Sequence, residues 1–196
     1  ITTFILLVTI GFFSFGQGQL CKQDLFPKQS TNRYWGYVNI FDQWEITPIF
    51  TTANGFRGKT AVVLRGMKYG AVNCDGRLIV PCKYDEIKDF LGGKAWVKKA
   101  GLWGLVNDEG RNLLLPLYSE ITEVSKYSDQ VWVKYGASWG VYDLEKEGFI
   151  YEPQFSEIQV LDGSTSLVKK EGLSGIIQID SLHYIYPLKI DKVVKV

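Results

Sequence analysis

Short apolar runs separated by tight polar turns recur along most of the chain. In the run from 102 to 106, Trp103 and Leu105 fall on one face of a predicted strand, while Leu102 and Val106 share the other face with Gly104. Two apolar faces are typical of a strand that is covered on both sides. The pattern predicts short antiparallel strands joined as meanders, roughly 14 in all.

One stretch shows how the strands are grouped, with runs at 67–73, 77–84 and 95–99. The segment Asn73-Cys74-Asp75-Gly76 is an Asp-Gly hairpin signal, because the turn needs a positive φ that glycine adopts without strain. Asn107-Asp108-Glu109-Gly110 repeats that signal one unit later. No helix of ordinary length is predicted, although residues 85–90 and 120–126 could each form a single helical turn.

An aromatic-glycine pair marks each unit of a repeat. The pairs are Trp35-Gly36, Tyr69-Gly70, Trp103-Gly104 and Trp139-Gly140, with a decayed copy at Ser174-Gly175. Their glycines lie 34, 34, 36 and 35 residues apart, a period typical of tandem supersecondary units. Glycine inside a strand is costly unless a neighbour needs the space. We therefore expect each glycine to make room for a bulky ring, and the paired tryptophans to be structural.

Other positions repeat with the same period. A valine precedes four of the glycines by seven residues: Val63, Val97, Val133 and Val168. A proline follows every glycine by 11 to 13 residues: Pro48, Pro81, Pro116, Pro153 and Pro187. With the aromatic-glycine pairs, segments such as Pro116-Leu117-Tyr118 resemble the WG-repeat family over residues 32–190. The first copy departs from the pattern at Thr51-Thr52-Ala53, and the fifth lacks the aromatic residue.

The predicted fold is an all-β array of three-stranded meanders, with about 4.5 repeats in one domain over residues 19–196. We expect the array to be curved and open. A closed, propeller-like ring is the alternative, although a propeller blade normally has four strands. The resemblance implies a bacterial, non-catalytic interaction scaffold.

The first 18 residues have the apolar composition of a signal-peptide core. We expect cleavage before Gln17 or Gln19 and therefore export to the periplasm, the cell surface or the medium. Contact with a membrane is expected only through this segment, if it is not cleaved. Cys21 raises a lipoprotein alternative, but Leu20 occupies a position where a lipobox needs a small residue.

The sequence contains few of the residue patterns that form disulfides, catalytic sites or metal sites. In the register set by the Asp75-Gly76 turn, Cys74 faces Arg77 and lies about 16 Å from Cys82, beyond the roughly 7 Å limit for a disulfide. Both cysteines are therefore predicted to be free and packed. His183 is the only histidine and has no nucleophile motif beside it. We expect no catalytic residue, metal site or cofactor.

A candidate binding surface follows from two further periodic sets. The lysines Lys98, Lys134 and Lys169 recur in step with the glutamates Glu86, Glu120 and Glu157. They predict either a solvated ladder of ion pairs or a row of sites for a repeating partner. Trp96 and Trp132 recur beside the lysines and would stack on sugars if exposed.

The partner expected from these features is a protein or an envelope glycan. The net charge of +1 argues against nucleic acid, whose binding usually needs a strongly basic face. Two alternatives to the protein scaffold stay open at this point: a glycan-binding module, and an accessory repeat domain of a larger enzyme.

Overall fold

The described part of the chain folds into five antiparallel β-sheets, arranged in sequence order. A computed structural model describes residues 21, 24–124, 129–162, 164–179 and 183–190. These residues form 19 strands and no helix. The tandem all-β fold predicted from the sequence is confirmed.

Each sheet is built from strands that follow one another in the chain. The first sheet contains β1 (Phe26–Gln29), β2 (Trp35–Val38) and β3 (Trp44–Phe50). The second contains β4 (Thr52–Ala53), β5 (Thr60–Arg65), β6 (Lys68–Asn73) and β7 (Leu78–Tyr84). The third contains β8 (Glu86–Ile87), β9 (Lys94–Lys99), β10 (Leu102–Asn107) and β11 (Asn112–Tyr118). The fourth contains β12 (Glu120–Glu123), β13 (Gln130–Tyr135), β14 (Ser138–Asp143) and β15 (Gly148–Phe155). The fifth contains β16 (Glu157–Val160), β17 (Thr165–Lys170), β18 (Leu173–Gln178) and β19 (His183–Ile190).

Each of the last four sheets consists of three long strands, as predicted, preceded by a short leading strand. Two leading strands, β8 and β12, lie where the sequence also allowed a helical turn. They are extended because their backbone pairs with the next strand of the sheet; in β8, Glu86 and Ile87 pair with Lys98 and Val97. The leading strand therefore attaches each three-stranded meander to the sheet before it.

A single residue connects each sheet to the next. Thr51, Asp85, Ser119 and Ser156 separate the last strand of one sheet from the leading strand of its successor. Each junction N–H donates to a carbonyl of the following sheet, on Leu64, Lys98, Lys134 and Lys169 respectively, at 2.7 to 2.9 Å. The chain thus passes from sheet to sheet as one bent strand rather than through a loop.

The repeated glycine and proline form a β-bulge inside every sheet. In the third sheet Gly104 pairs with Val97 on one side and faces residues 115–117 on the other. A Cβ added to Gly104 would lie 2.7 Å from the carbonyl oxygen of Leu114 and 2.7 Å from the nitrogen of Pro116. The glycine therefore makes room for the backbone of the bulged strand, and the prediction of an adjoining ring is wrong. Proline fits because a bulge leaves an N–H without a ladder partner.

The hairpin that ends in Gly76 is longer than the predicted two-residue turn. Asn73, not Cys74, faces Arg77: its N–H donates to the carbonyl of Arg77 at 2.9 Å. The side-chain oxygen of Asn73 also accepts the N–H groups of Asp75 and Arg77 at 3.2 and 2.8 Å. Gly76 closes the turn with a φ of 77°. The asparagine side chain stabilises the wider turn, which the dipeptide signal alone did not reveal.

Four hydrophobic clusters lie between successive sheets. The residue before each junction is a buried ring: Phe50, Tyr84, Tyr118 and Phe155. Every substantial strand contact between different sheets of the described chain joins consecutive sheets. The sheets therefore form an open array with one core per interface.

Cys74 is disulfide-bonded to Cys21, with a Cα–Cα distance of 5.4 Å. The prediction that Cys74 is free is wrong, because the turn places it beside the N-terminal segment, where Leu25 is buried in the same cluster. The disulfide also engages the sulfur of Cys21, so Cys21 cannot be acylated while the bond is intact. Cys82 is free and half-buried, as predicted. The bridge fastens the segment before β1 to the second sheet.

The proposed leader, residues 1–18, lies outside the described residues. His183 is placed in β19, and its side chain is not described. Nowhere in the described ranges is there a helix with the length and apolar character needed to span a membrane.

Candidate binding cleft between the third and fourth sheets

The periodic lysines face partners within their own sheets. Lys134 pairs across the strands with Glu120 on one side and with Trp139 on the other. Its Nζ lies 2.6 Å from the Glu120 carboxylate and 5.4 Å from the centre of the Trp139 ring. Lys169 forms the same ion pair with Glu157 at 3.0 Å. The predicted ladder of Lys and Glu is therefore present in these two sheets, each exposed pair contributing about 0–1 kcal/mol.

Lys98 occupies the equivalent position in the third sheet, opposite both Glu86 and Trp103. Its Nζ lies 4.9 Å from the centre of the Trp103 ring, and Lys88 approaches the same ring at 5.0 Å. Both distances are in the range of cation–π contacts. Trp103 and Trp139 are thus contacted by lysines of their own sheets. Binding of an outside partner by these lysines stays a prediction.

Trp132 is part of the core. Its ring is fully buried, and its Nε1–H donates to the hydroxyl of Ser166 in the next sheet at 3.3 Å. The Phe155 ring packs against it edge-on, with centroids 5.9 Å apart. The prediction of Trp132 as an exposed sugar-stacking residue is therefore wrong, because the strand places it at the fourth interface between sheets.

Trp96 occupies the same repeat position one unit earlier but is only half-buried. It lines a cleft of about 710 Å³ between the third and fourth sheets. Leu105 and Val131, both buried, form the floor together with Ile121 and Leu144. At the rim, Leu91 is 77% exposed. The cleft therefore exposes part of one hydrophobic cluster to solvent.

Charged side chains surround this apolar floor. Lys88, Lys94, Asp89, Glu123 and Asp129 all line the cleft. Asp89 is engaged outside it, accepting from Asn54 at 3.2 Å and facing Arg57 at 4.0 Å. Within the described ranges, Lys94, Glu123 and Asp129 have no ion-pair partner. Among the described residues, no other side chain neutralises these three charges.

The structure brings Trp96 together with residues that the sequence did not single out, chiefly Leu91, Val131 and Glu123. A usable signal was the position two residues before each repeated valine, which reads Ala61, Ala95, Val131 and Ser166. Only the last of these can accept a hydrogen bond from a tryptophan in the preceding sheet. Across the described ranges, no group of three or more His, Cys, Asp or Glu could hold a metal ion.

Comparison with known proteins identifies the repeat. The family model described as "WG containing repeat" matches residues 35–68 and 69–103. The resemblance predicted from the aromatic-glycine pairs is confirmed: residues 35–103 match two WG containing repeats, and the third and fourth units have the same bulge and junction geometry. None of the curated proteins compared with the chain matches it.

Several solved structures share a general similarity of fold. Hsv2p of Kluyveromyces lactis has a TM-score of 0.41 and 12% identity over 81% of this chain and 59% of its own. A eukaryotic initiation factor has a TM-score of 0.44 and 12% identity, covering 84% and 51% of the two chains. PorZ of Porphyromonas gingivalis, a surface component of the type-IX secretion system, has a TM-score of 0.33 and 10% identity, covering 88% and 27%.

The chain spans between half and three fifths of the first two structures, at 51% and 59% of their lengths. At these similarities none of the structures carries an argument about function. The functional argument therefore depends on this chain's own repeats and cleft.

Proposed function

We propose that this WG-repeat chain is an exported, non-catalytic scaffold that binds a partner protein through the cleft between its third and fourth sheets. The half-buried Trp96 above an apolar floor is the observation that carries the proposal. Tryptophan is enriched among residues that dominate binding energy at protein interfaces, especially beside desolvated pockets. A stacked array also presents an extended surface that suits a long partner.

Photo-crosslinking from the rim of the cleft tests this function. A photoreactive phenylalanine analogue replaces Leu91, and a matched control carries it at Met67, which is 89% exposed on a hairpin of the second sheet. The purified chains are mixed with an envelope extract and irradiated. We expect a protein adduct from position 91, lost with Trp96→Ala, and none from position 67. Equal adducts at both positions, or binding of oligosaccharides alone in a parallel glycan array, would overturn the proposal.

Export is supported by the Cys21–Cys74 disulfide. Structural disulfides persist in the periplasm and outside the cell and are rare in the reducing cytosol. In the chain-entropy model, a bridge that spans 53 residues adds about 4 kcal/mol to the free energy of unfolding. An exported protein would keep this stabilisation for as long as it remains in an oxidising compartment.

Thiol labelling in cells tests the export. The native chain is quenched in acid and treated with a maleimide polymer before and after reduction. An exported chain should carry one reactive thiol, Cys82, before reduction and three afterwards. Three reactive thiols before reduction, in a fraction that co-purifies with cytoplasmic markers, would contradict export.

A further inference from the structure

We infer that the cleft between the third and fourth sheets recognises an extended protein segment in which an apolar side chain lies beside a basic one. This inference rests on the proposed function and specifies the chemistry of its partner. Three observations carry it: the aliphatic floor, the free indole N–H and the unpaired carboxylates among the described residues of the cleft.

The floor selects for an apolar group. Leu105 and Val131 are almost fully buried, and Ile121 and Leu144 are half-buried around them. An inserted aliphatic or aromatic side chain would remove the exposed parts of this floor from water, at about 25 cal/mol for each Å² buried. A sugar placed there would bury hydroxyl groups against aliphatic carbon without hydrogen-bond partners, which is unfavourable. A protein segment therefore fits the floor better than a glycan does.

The indole N–H of Trp96 needs an acceptor. In the described residues its side chain makes no hydrogen bond, whereas Trp132 at the same repeat position donates to Ser166. Val131 occupies the place of that serine in the fourth sheet and has no acceptor to offer. A backbone carbonyl of an extended segment would supply it, because such a segment presents carbonyl groups next to its side chains.

The charges determine which neighbour the apolar side chain should have. Glu123 and Asp129 lie on the fourth-sheet side of the cleft without ion-pair partners in the described ranges. Lys88 is held over the Trp103 ring on the opposite side, which leaves Lys94 as the other cation among the described residues that line the cleft. Two carboxylates that have no ion-pair partner among the described residues, on one wall of the cleft, favour a lysine or arginine in the bound segment.

Synthetic peptides test the inference on the complete chain by calorimetry at low salt. The probe is a blocked heptapeptide with a central Phe flanked by Lys on both sides in a Gly-Ser background. A second peptide replaces both Lys by Glu, and a third replaces Phe by Ala. We expect the Lys-Phe-Lys peptide to bind about tenfold more tightly than either of the others. Tighter binding of the Glu peptide, or no difference among the three, would overturn the inference.

Variants locate the binding site. Trp96→Ala should abolish measurable binding, and Trp96→Phe should weaken it because the ring remains but the N–H is lost. Glu123→Gln combined with Asp129→Asn should weaken binding about fivefold, and added salt should reduce the difference. Glu109→Gln, a change of the same kind on an exposed hairpin of the third sheet, is the control and should leave binding unchanged.

The binding results for these variants also distinguish the inference from the proposed scaffold function. A partner that is captured at position 91 and lost with Trp96→Ala, but that binds the Glu123→Gln, Asp129→Asn variant as well as the native chain, would overturn the inference alone. Binding of a chitin oligomer with loss on Trp96→Ala would overturn it in favour of carbohydrate recognition. Failure to capture any partner at position 91 would count against the scaffold function itself.

Discussion

The third and fourth sheets meet differently from the fourth and fifth, although the same repeat positions form both interfaces. At the latter, Trp132 is fully buried and bonded to Ser166. At the former, Trp96 faces Val131 and is only half-buried, in a cleft. A buried indole usually needs an acceptor for its N–H. The closed interface thus has the Ser166 hydroxyl at a position where the open one has the Val131 side chain.

A second pair of equivalent residues shows the same contrast. Ile179 is fully buried at the interface between the fourth and fifth sheets, while Leu144 lines the cleft and is only half-buried. The ring before the junction also differs in its contacts. Phe155 packs on Trp132, whereas Tyr118 contacts Tyr135 and Phe149 instead. A repeat can thus keep its backbone and still create a binding site through side-chain differences at one interface.

Replacing each of the two tryptophans should reveal the largest difference in stability between the two interfaces. Trp132→Ala leaves a large cavity in the core and should lower the free energy of unfolding by about 3–5 kcal/mol. Trp96→Ala removes a ring that is only half-buried and should cost about 1 kcal/mol. Urea unfolding followed by circular dichroism measures both. Equal losses would mean that the two interfaces are equally closed in solution.

The repeated glycines test a feature that the third and fourth sheets share, the β-bulge inside each sheet. An added methyl at Gly104 or Gly140 would meet the backbone of the bulged strand at 2.6 to 2.7 Å. Gly104→Ala and Gly140→Ala should each cost about 1–3 kcal/mol in the free energy of unfolding. Gly148→Ala is the control, because its nearest neighbour would be 3.8 Å away. Thermal or denaturant melts that show no loss for the first two variants would contradict the bulge geometry.

Ser166→Ala tests the hydroxyl that distinguishes the interfaces. It leaves the Trp132 N–H buried without an acceptor and should cost about 1–3 kcal/mol. In a Trp132→Phe background the same change should cost less, because no N–H remains to be satisfied. Chemical denaturation of the four proteins in this cycle measures the coupling. Zero coupling would show that the hydrogen bond does not keep Trp132 buried.

The smallest expected effect concerns how much stability the junction before the third sheet loses in acid. There Asp85 replaces the serines of the next two junctions, and the side-chain bond from Lys68 and the N–H of Ala100 lower its pKa. A lowered pKa means that this stabilisation is present above the ordinary carboxyl value of 3.8 and is lost as pH falls through the lowered one.

Asp85→Ser should therefore reduce the acid sensitivity of unfolding below about pH 4, and Ser119→Ala should leave that sensitivity unchanged. Urea midpoints measured from pH 6 to pH 2 show the difference. Identical pH profiles for the native chain and the Asp85 variant would mean that this carboxylate contributes nothing to the junction.

The sequence predicted what the units have in common. The spacing of Trp103-Gly104 and Pro116 indicated strands and their order. The structure adds that the repeated Val97 is the cross-strand partner of that glycine. Such features depend on residues close in sequence, where hairpin geometry fixes the register. The same locality explains why the Lys134–Glu120 pair could be anticipated.

The interfaces between sheets and the disulfide depend instead on residues far apart in sequence. Trp132 and Ser166 are 34 residues apart, and Cys21 and Cys74 are 53 apart. Their contacts follow from how neighbouring sheets stack, which a period cannot specify. The hairpin signal also placed Cys74 one residue out of register, because the side chain of Asn73 widens the turn.

The one-residue junctions have a consequence for how such chains can change length. The connection between sheets is the same at Thr51, Asp85, Ser119 and Ser156, while the glycine spacing varies from 34 to 36 residues. The extra residues therefore lie within the units and not at the junctions. Each sheet is followed by an equivalent leading strand. A whole unit could therefore be inserted or deleted at a junction without a change in the connections of its neighbours. Growth of the array by duplication then requires a new interface but no new connection.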